Sequence, residues 1–166
     1  MMDRVCFLMP DGSLNPYNVE KWPRHPGDTD QEHVDRVAPL LKAQLATAIP
    51  EYAGAIYAGN ISPEHHDAFD RTFREAWTWI TPAPVIDVDM TKAPDIQRDR
   101  MRRARAPLLA AKDAEYTHAD ARGDAVAKAR IEAERQALRD VTADPAIEAA
   151  KTPEELKAVW PEVLSE

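Results

Sequence analysis

The rhythm of apolar and polar positions changes twice along this chain. Val5-Cys6-Phe7-Leu8-Met9 is an unbroken apolar run closed by Pro10-Asp11-Gly12-Ser13. There a fixed φ, an Asx acceptor and a permissive φ follow one another as a tight turn requires. The pattern predicts a strand and a hairpin return over Ser13 to Val19. After a loop from Trp22 to Gly27, Thr29 or Asp30 is placed to cap a helix. Val34, Val37, Leu41, Leu45 and Ala48 then recur at spacings of three and four, which makes one apolar stripe. Pro39 lies inside the stripe and predicts a kink or a restart. Tyr52 to Ala58 reads as a short strand interrupted by Gly54, Pro63 to Phe73 is ambiguous, and Val85 to Met90 alternates apolar residues with aspartates as a half-exposed strand does.

From Thr91 the period becomes helical. Thr91 is a plausible N-cap, and Ile96, Met101, Ala104, Leu108, Ala111 and Tyr116 fall on one face, with Pro107 implying a bend. Gly123 suits the left-handed stop of that helix and Asp124 the cap of the next, which carries Ala127, Ile131, Leu138 and Val141. So short a connector folds two long helices back on each other. Asp144-Pro145 opens a short helical turn. Thr152-Pro153-Glu154-Glu155 has the capping-box pattern, followed by Leu156, Val159 and Trp160 as an apolar face that must dock to be stable. The expected class is α+β: a small N-terminal β-hairpin and helix part over residues 1–90, then a C-terminal antiparallel αα-hairpin with a short terminal helix over 91–166.

Composition refines this picture. The 166 residues include 14 Pro and 5 Gly, so rigid corners connect the elements. The single cysteine, Cys6, excludes a disulfide scaffold and reads as a buried small hydrophobe. With 21 Lys and Arg against 29 Asp and Glu the net charge is -8, which argues against a general nucleic-acid binder. No apolar stretch approaches the length of a membrane span, and the start lacks a signal peptide's apolar region, so the expectation is a soluble protein made inside the cell.

Candidate chemistry is sparse. His65-His66-Asp67 with Asp70, joined by His25, His33 and Asp35, offers metal-ligand types, but adjacent histidines point to different sides of an element. Asp87-Val88-Asp89 resembles a metal-binding DxD triplet, yet alternation on a strand, which puts both aspartates on the wet face, accounts for it better. Neither a nucleophile elbow nor a phosphate-cradling loop is present, so the expectation is no enzyme, no cofactor and no metal. The strongest charge feature is Arg98 to Arg105. Between Thr91 and Lys112 seven basic residues face two aspartates, and such a stripe is a solvated or internally paired face, a protein-contact surface or a nucleic-acid patch. Trp77, Trp79 and Trp160 are core residues or interface anchors.

The string Asp70-Arg-Thr-Phe-Arg-Glu-Ala-Trp77, then Val88 to Ala93, Asp95 to Arg102 and Ala106 to Leu109, resembles small bacteriophage proteins encoded among tail and tail-fibre genes. Arg135 to Thr142 is similar to a segment near the C-terminus of tail-fibre assembly and chaperone-like proteins, and Thr152 to Leu156 with Val159-Trp160-Pro161 completes a likeness over about residues 70–166. The resemblance implies a non-enzymatic tail or tail-fibre component contacting other tail or fibre proteins, or further copies of itself, in the host cytoplasm and then in the virion. Trp77, Trp79, Arg98, Arg102, Arg105, Leu156 and Trp160 are the expected contact residues. An assembly chaperone absent from the mature particle is the sibling expectation, and a nucleic-acid-binding regulator using Arg98 to Arg105 is the rival from another class.

Overall fold

A computed structural model of the chain describes residues 4–19, 21–61, 66, 69–80 and 85–165. The chain divides into two compact units, Met1–Asp89 and Met90–Glu166. In its element order the structure is α+β, with antiparallel strands first and mostly helices afterwards.

In the first unit β1 (Arg4–Leu8) lies between β2 (Leu14–Asn18) and β3 (Ile56–Ile61), antiparallel to both. The turn joining β1 to β2 forms as its residues dictate: the Asp11 carboxylate accepts from the Ser13 amide at 2.8 Å and hydroxyl at 2.6 Å, and Gly12 takes φ 78°. A central strand is covered on both faces, which explains the run of Val5, Cys6 and Phe7, all without exposed surface. Val5 and Phe7 join a core with Val34, Val37, Ala38, Leu41 and Tyr52, while Cys6 points to the other face by strand alternation. Burial pushes the Cys6 thiol up to about 12, so it is an inert filler rather than a nucleophile.

Helix α1 (Asp30–Ala48) opens with a complete capping box between Thr29 and Glu32. It runs through Pro39 as one helix instead of restarting there. Pro39 is on the exposed face, so the carbonyl it leaves without a helical donor is on the solvent side. The strand expected at Tyr52 to Ala58 is displaced: Pro50–Gly54 is a 3₁₀ turn, and the strand begins at Ile56. Proline at the first position of the turn favours the helical φ, and Tyr52 is drawn into the core.

Strands β4 (Trp77–Ile80) and β5 (Val85–Val88) form a separate antiparallel pair with Trp77 opposite Val88 and Trp79 opposite Ile86. Trp79 lies against Gly59 of β3, next to an irregularity in the β1–β3 register. Gly59 has φ 152°, and a Cβ there would stand 2.6 Å from Cζ2 of Trp79. Gly59→Ala should therefore lower stability by about 1–3 kcal/mol in urea denaturation through backbone strain alone. Adding Trp79→Ala should relieve only the steric part, which a double-mutant cycle separates.

The second unit starts with α2 (Ala93–Ala121), about 43 Å long at 1.5 Å per residue, followed by α3 (Ala125–Asp140). Thr91 does not cap α2. It lies in the preceding turn, and Lys92 occupies the cap position without capping the helix through its side chain. Pro107 is exposed, and α2 continues through it. Gly123 takes φ 67° and the Asp124 carboxylate accepts from the Ala127 amide at 2.9 Å, closing the hairpin as expected. Short helices α4 (Ala146–Ala149) and α5 (Pro153–Ala158) follow, with the Thr152 hydroxyl accepting from the Glu155 amide at 3.1 Å. Met101, Ile131, Leu138, Val141, Ile147, Leu156 and Leu164 are the buried apolar side chains of this unit.

Candidate interaction surfaces

The residues expected to contact partners separate into two groups. Trp77 is 1% exposed and Leu156 is fully covered. Both were expected contact residues, with the core as the other expectation for Trp77, and the fold puts both inside their own units: Trp77 meets the edges of His66 and Phe69 at 5.6 Å, and Leu156 is the inward position of the capped helix α5. Trp79 and Trp160 keep part of their surface. The Arg100 guanidinium lies 5.2 Å from the centre of the Trp160 ring, in cation–π geometry.

The basic segment of α2 is extensively paired within its own unit. Arg98 bridges Asp95 of its own helix and Glu148 of α4, and Arg102 pairs with Asp99. Arg100 donates to Oε1 of Gln97 at 2.5 Å. Arg105 donates to the carbonyls of Leu138 and Arg139, at 3.3 and 2.6 Å. There a cation from the neighbouring helix sits at the negative end of α3, the favourable sign for the helix dipole. Each of these arginines performs a positioning task, and Arg98, Arg102 and Arg105 present less free charge than the sequence suggests.

Gln97 is not among the residues of the apolar stripe that periodicity predicts for α2. It is fully buried, and its side-chain amide donates to the Val159 carbonyl at 2.8 Å while its oxygen accepts from Arg100. A glutamine four residues before Met101 on the inward stripe was the available signal. The chain Val159–Gln97–Arg100–Trp160 fastens the C-terminal segment to α2, since a buried carbonyl needs a donor.

Farther along, ion pairs replace apolar contacts between the helices. Lys112 bridges Glu115 at 3.1 Å and Glu134 at 2.8 Å, Arg135 bridges Asp113 at 2.8 Å and Glu132 at 2.6 Å, and Arg139 reaches Glu132 at 2.9 Å. Lys128 and Arg135 both approach the Tyr116 ring. Hydrogen bonding from Arg139 holds the Glu132 carboxyl below its usual value, and Lys112 does the same for Glu134, whose carboxylate in turn raises Lys112. Depressed carboxyl values give stability that is present above about 4.5 and lost as pH falls through the lowered values; the raised lysine gives stability that is lost as pH rises above 10.5. Thermal unfolding should therefore show the hairpin most stable between those limits. Salt should flatten the profile, because the pairs are at the surface.

The histidine candidates do not converge. His33 is buried in α1 with Nδ1 3.0 Å from Arg36, His66 is buried against Trp77, and His25 is exposed in the loop before α1. His65 and Asp67 lie outside the described residues. Among the described residues, no three His, Cys, Asp or Glu groups gather as metal ligands. Asp87 is turned to its own backbone, accepting from the Val88 amide at 2.7 Å. No helix among the described residues is long and apolar enough to cross a membrane. Compared with family models, curated proteins and solved structures, the chain matches none.

Proposed function

We propose that the chain is a non-enzymatic bacteriophage tail or tail-fibre-associated protein that works by fitting against neighbouring proteins. The observation that carries the reading is the economy of the hairpin's own core. Of the 29 residues of α2 only Ala93, Gln97, Met101 and Ala119 are buried, so most of a helix about 43 Å long is left as surface. A long, mostly polar helix pair braced by ion pairs suits a rigid contact arm. The resemblance of residues 70–166 to tail-associated proteins supplies the setting. Internal pairing of Arg98, Arg100, Arg102 and Arg105 weighs against the nucleic-acid reading, which requires those charges to neutralise phosphates.

Quantitative mass spectrometry of purified particles of the encoding phage tests the proposal. A fixed copy number per particle is the expected result. Depletion from intact particles, with the protein abundant in infected cells, would replace it with the assembly-chaperone reading.

A further inference from the structure

The first unit carries a surface of its own that is already shaped for a ligand. A cleft of about 450 Å³ opens beside the β1–β2 turn, with Met9, Pro10, Ile49 and Tyr52 as its apolar lining and Asp11 and Glu51 as its acids. Ile49 is 43% exposed, and Ile56, the register partner of Leu8 at the same end of the sheet, is 65% exposed. Apolar surface concentrated at one place and rimmed by charge marks an interaction site more often than scattered residues do.

The floor is held in place before any ligand arrives. The Tyr52 hydroxyl is 2.5 Å from that of Tyr17, and the two rings meet edge to face with centres 5.8 Å apart. Pro10 lies against Gly54, where a Cβ would come within 3.0 Å of its ring. A lining that loses little freedom on binding costs little to order.

Charge selects the occupant. Glu51 is exposed and forms no ion pair among the described residues, and residues 1–89 carry 14 Asp and Glu against 7 Lys and Arg. An abutting cleft of about 390 Å³ adds Arg74 and Glu75, whose charges cancel. A second copy seated symmetrically on this cleft would bring two Glu51 carboxylates together, so the sign disfavours self-pairing. We infer that the cleft formed by Met9, Pro10, Ile49 and Tyr52 and rimmed by Asp11 and Glu51 docks an extended segment of another protein, in which aliphatic side chains alternate with lysine or arginine. The aliphatic groups fill the cleft and a cation pairs with Glu51. This inference stands on the first unit alone and does not depend on the tail reading.

The test uses the full chain labelled with nitrogen-15 and three synthetic peptides. The probe is acetyl-Gly-Ser-Lys-Leu-Arg-Ile-Lys-Ser-Gly-amide; one control has serine for leucine and isoleucine, the other glutamate for the three cations. The probe should shift amides of residues 9–15 and 49–52 and bind at least about tenfold tighter than either control, since the apolar and the charged contributions are each needed. Glu51→Lys should weaken it about fivefold or more, while Glu162→Lys, the same charge change on an exposed residue of the other unit, leaves affinity unchanged. Glu51 is exposed and makes no packing contact to lose, and unchanged circular dichroism confirms that its variant is folded. The inference is overturned if the serine control binds as well as the probe, if shifts fall outside those residues, or if the two lysine variants behave alike.

Discussion

Replacing Trp77 by alanine is expected to lower the unfolding free energy by about 3–5 kcal/mol, the range for truncating a buried aromatic. Its indole is 1% exposed, contacts His66 and Phe69 edge-on, and opens β4 opposite Val88. Truncation there leaves a void beside the His66 and Phe69 rings, at the first residue of the two-stranded β4–β5 pair. Urea denaturation of the isolated protein measures the effect. A change within about 0.5 kcal/mol, typical of surface positions, would return Trp77 to the role of a partner anchor. The indole nitrogen has no acceptor among the described residues. Trp77→Phe therefore sacrifices no hydrogen bond, and its cost should be well below that of alanine.

Gln97→Met should lower stability by about 1–2 kcal/mol, the cost of leaving a partly buried carbonyl without its donor. Methionine keeps nearly the same length, so the loss isolates the hydrogen bonds to Val159 and from Arg100. The C-terminal segment should respond first. Amide exchange at Val159 and Trp160 should accelerate more than exchange at Ile131, because the clamp acts on the segment after α5. Equal acceleration everywhere would show that Gln97 supports the whole unit and not the clamp.

Legibility followed the strength of local chemistry. The turn at Asp11 to Ser13, a helix cap at Thr29 or Asp30, the glycine stop at Gly123 and the capped helix after Thr152 were readable because each is decided by a few adjacent residues whose polar groups have few good solutions. Of the two internal prolines, only Pro39 raised the prospect of a restart, and the helix does not restart there. Pro39 and Pro107 break a helical bond wherever they stand, but on an exposed face water takes the freed carbonyl and the helix continues. Thr91 has the right side chain for a cap, yet Pro94 and the preceding turn move the start of the helix to Ala93. The contact residues were the hardest to read. Nothing in the local sequence reveals that Arg98 meets Glu148 fifty positions later, or that Gln97 finds Val159. Such pairs depend on how the chain returns, and apolar periodicity carries no information about a polar partner that distant. For the same reason the cleft beside Tyr52 was invisible, since it joins a hairpin turn to a segment about forty residues away.

The bond from Arg105 to the last carbonyls of α3 bears on slippage between the two rods. Alanine-rich helices offer many near-equivalent ways of lying side by side, and sliding one by a full turn moves it about 5.4 Å while leaving small side chains opposite small side chains. The guanidinium of Arg105 meets Leu138 and Arg139 in a single alignment, because only there do free carbonyls end the opposing helix. Arg105 thus acts as a ratchet pawl, one that the cross-helix pairs of Lys112 with Glu134 and Arg135 with Asp113 reinforce, and gives the two rods one fixed length from elbow to tip.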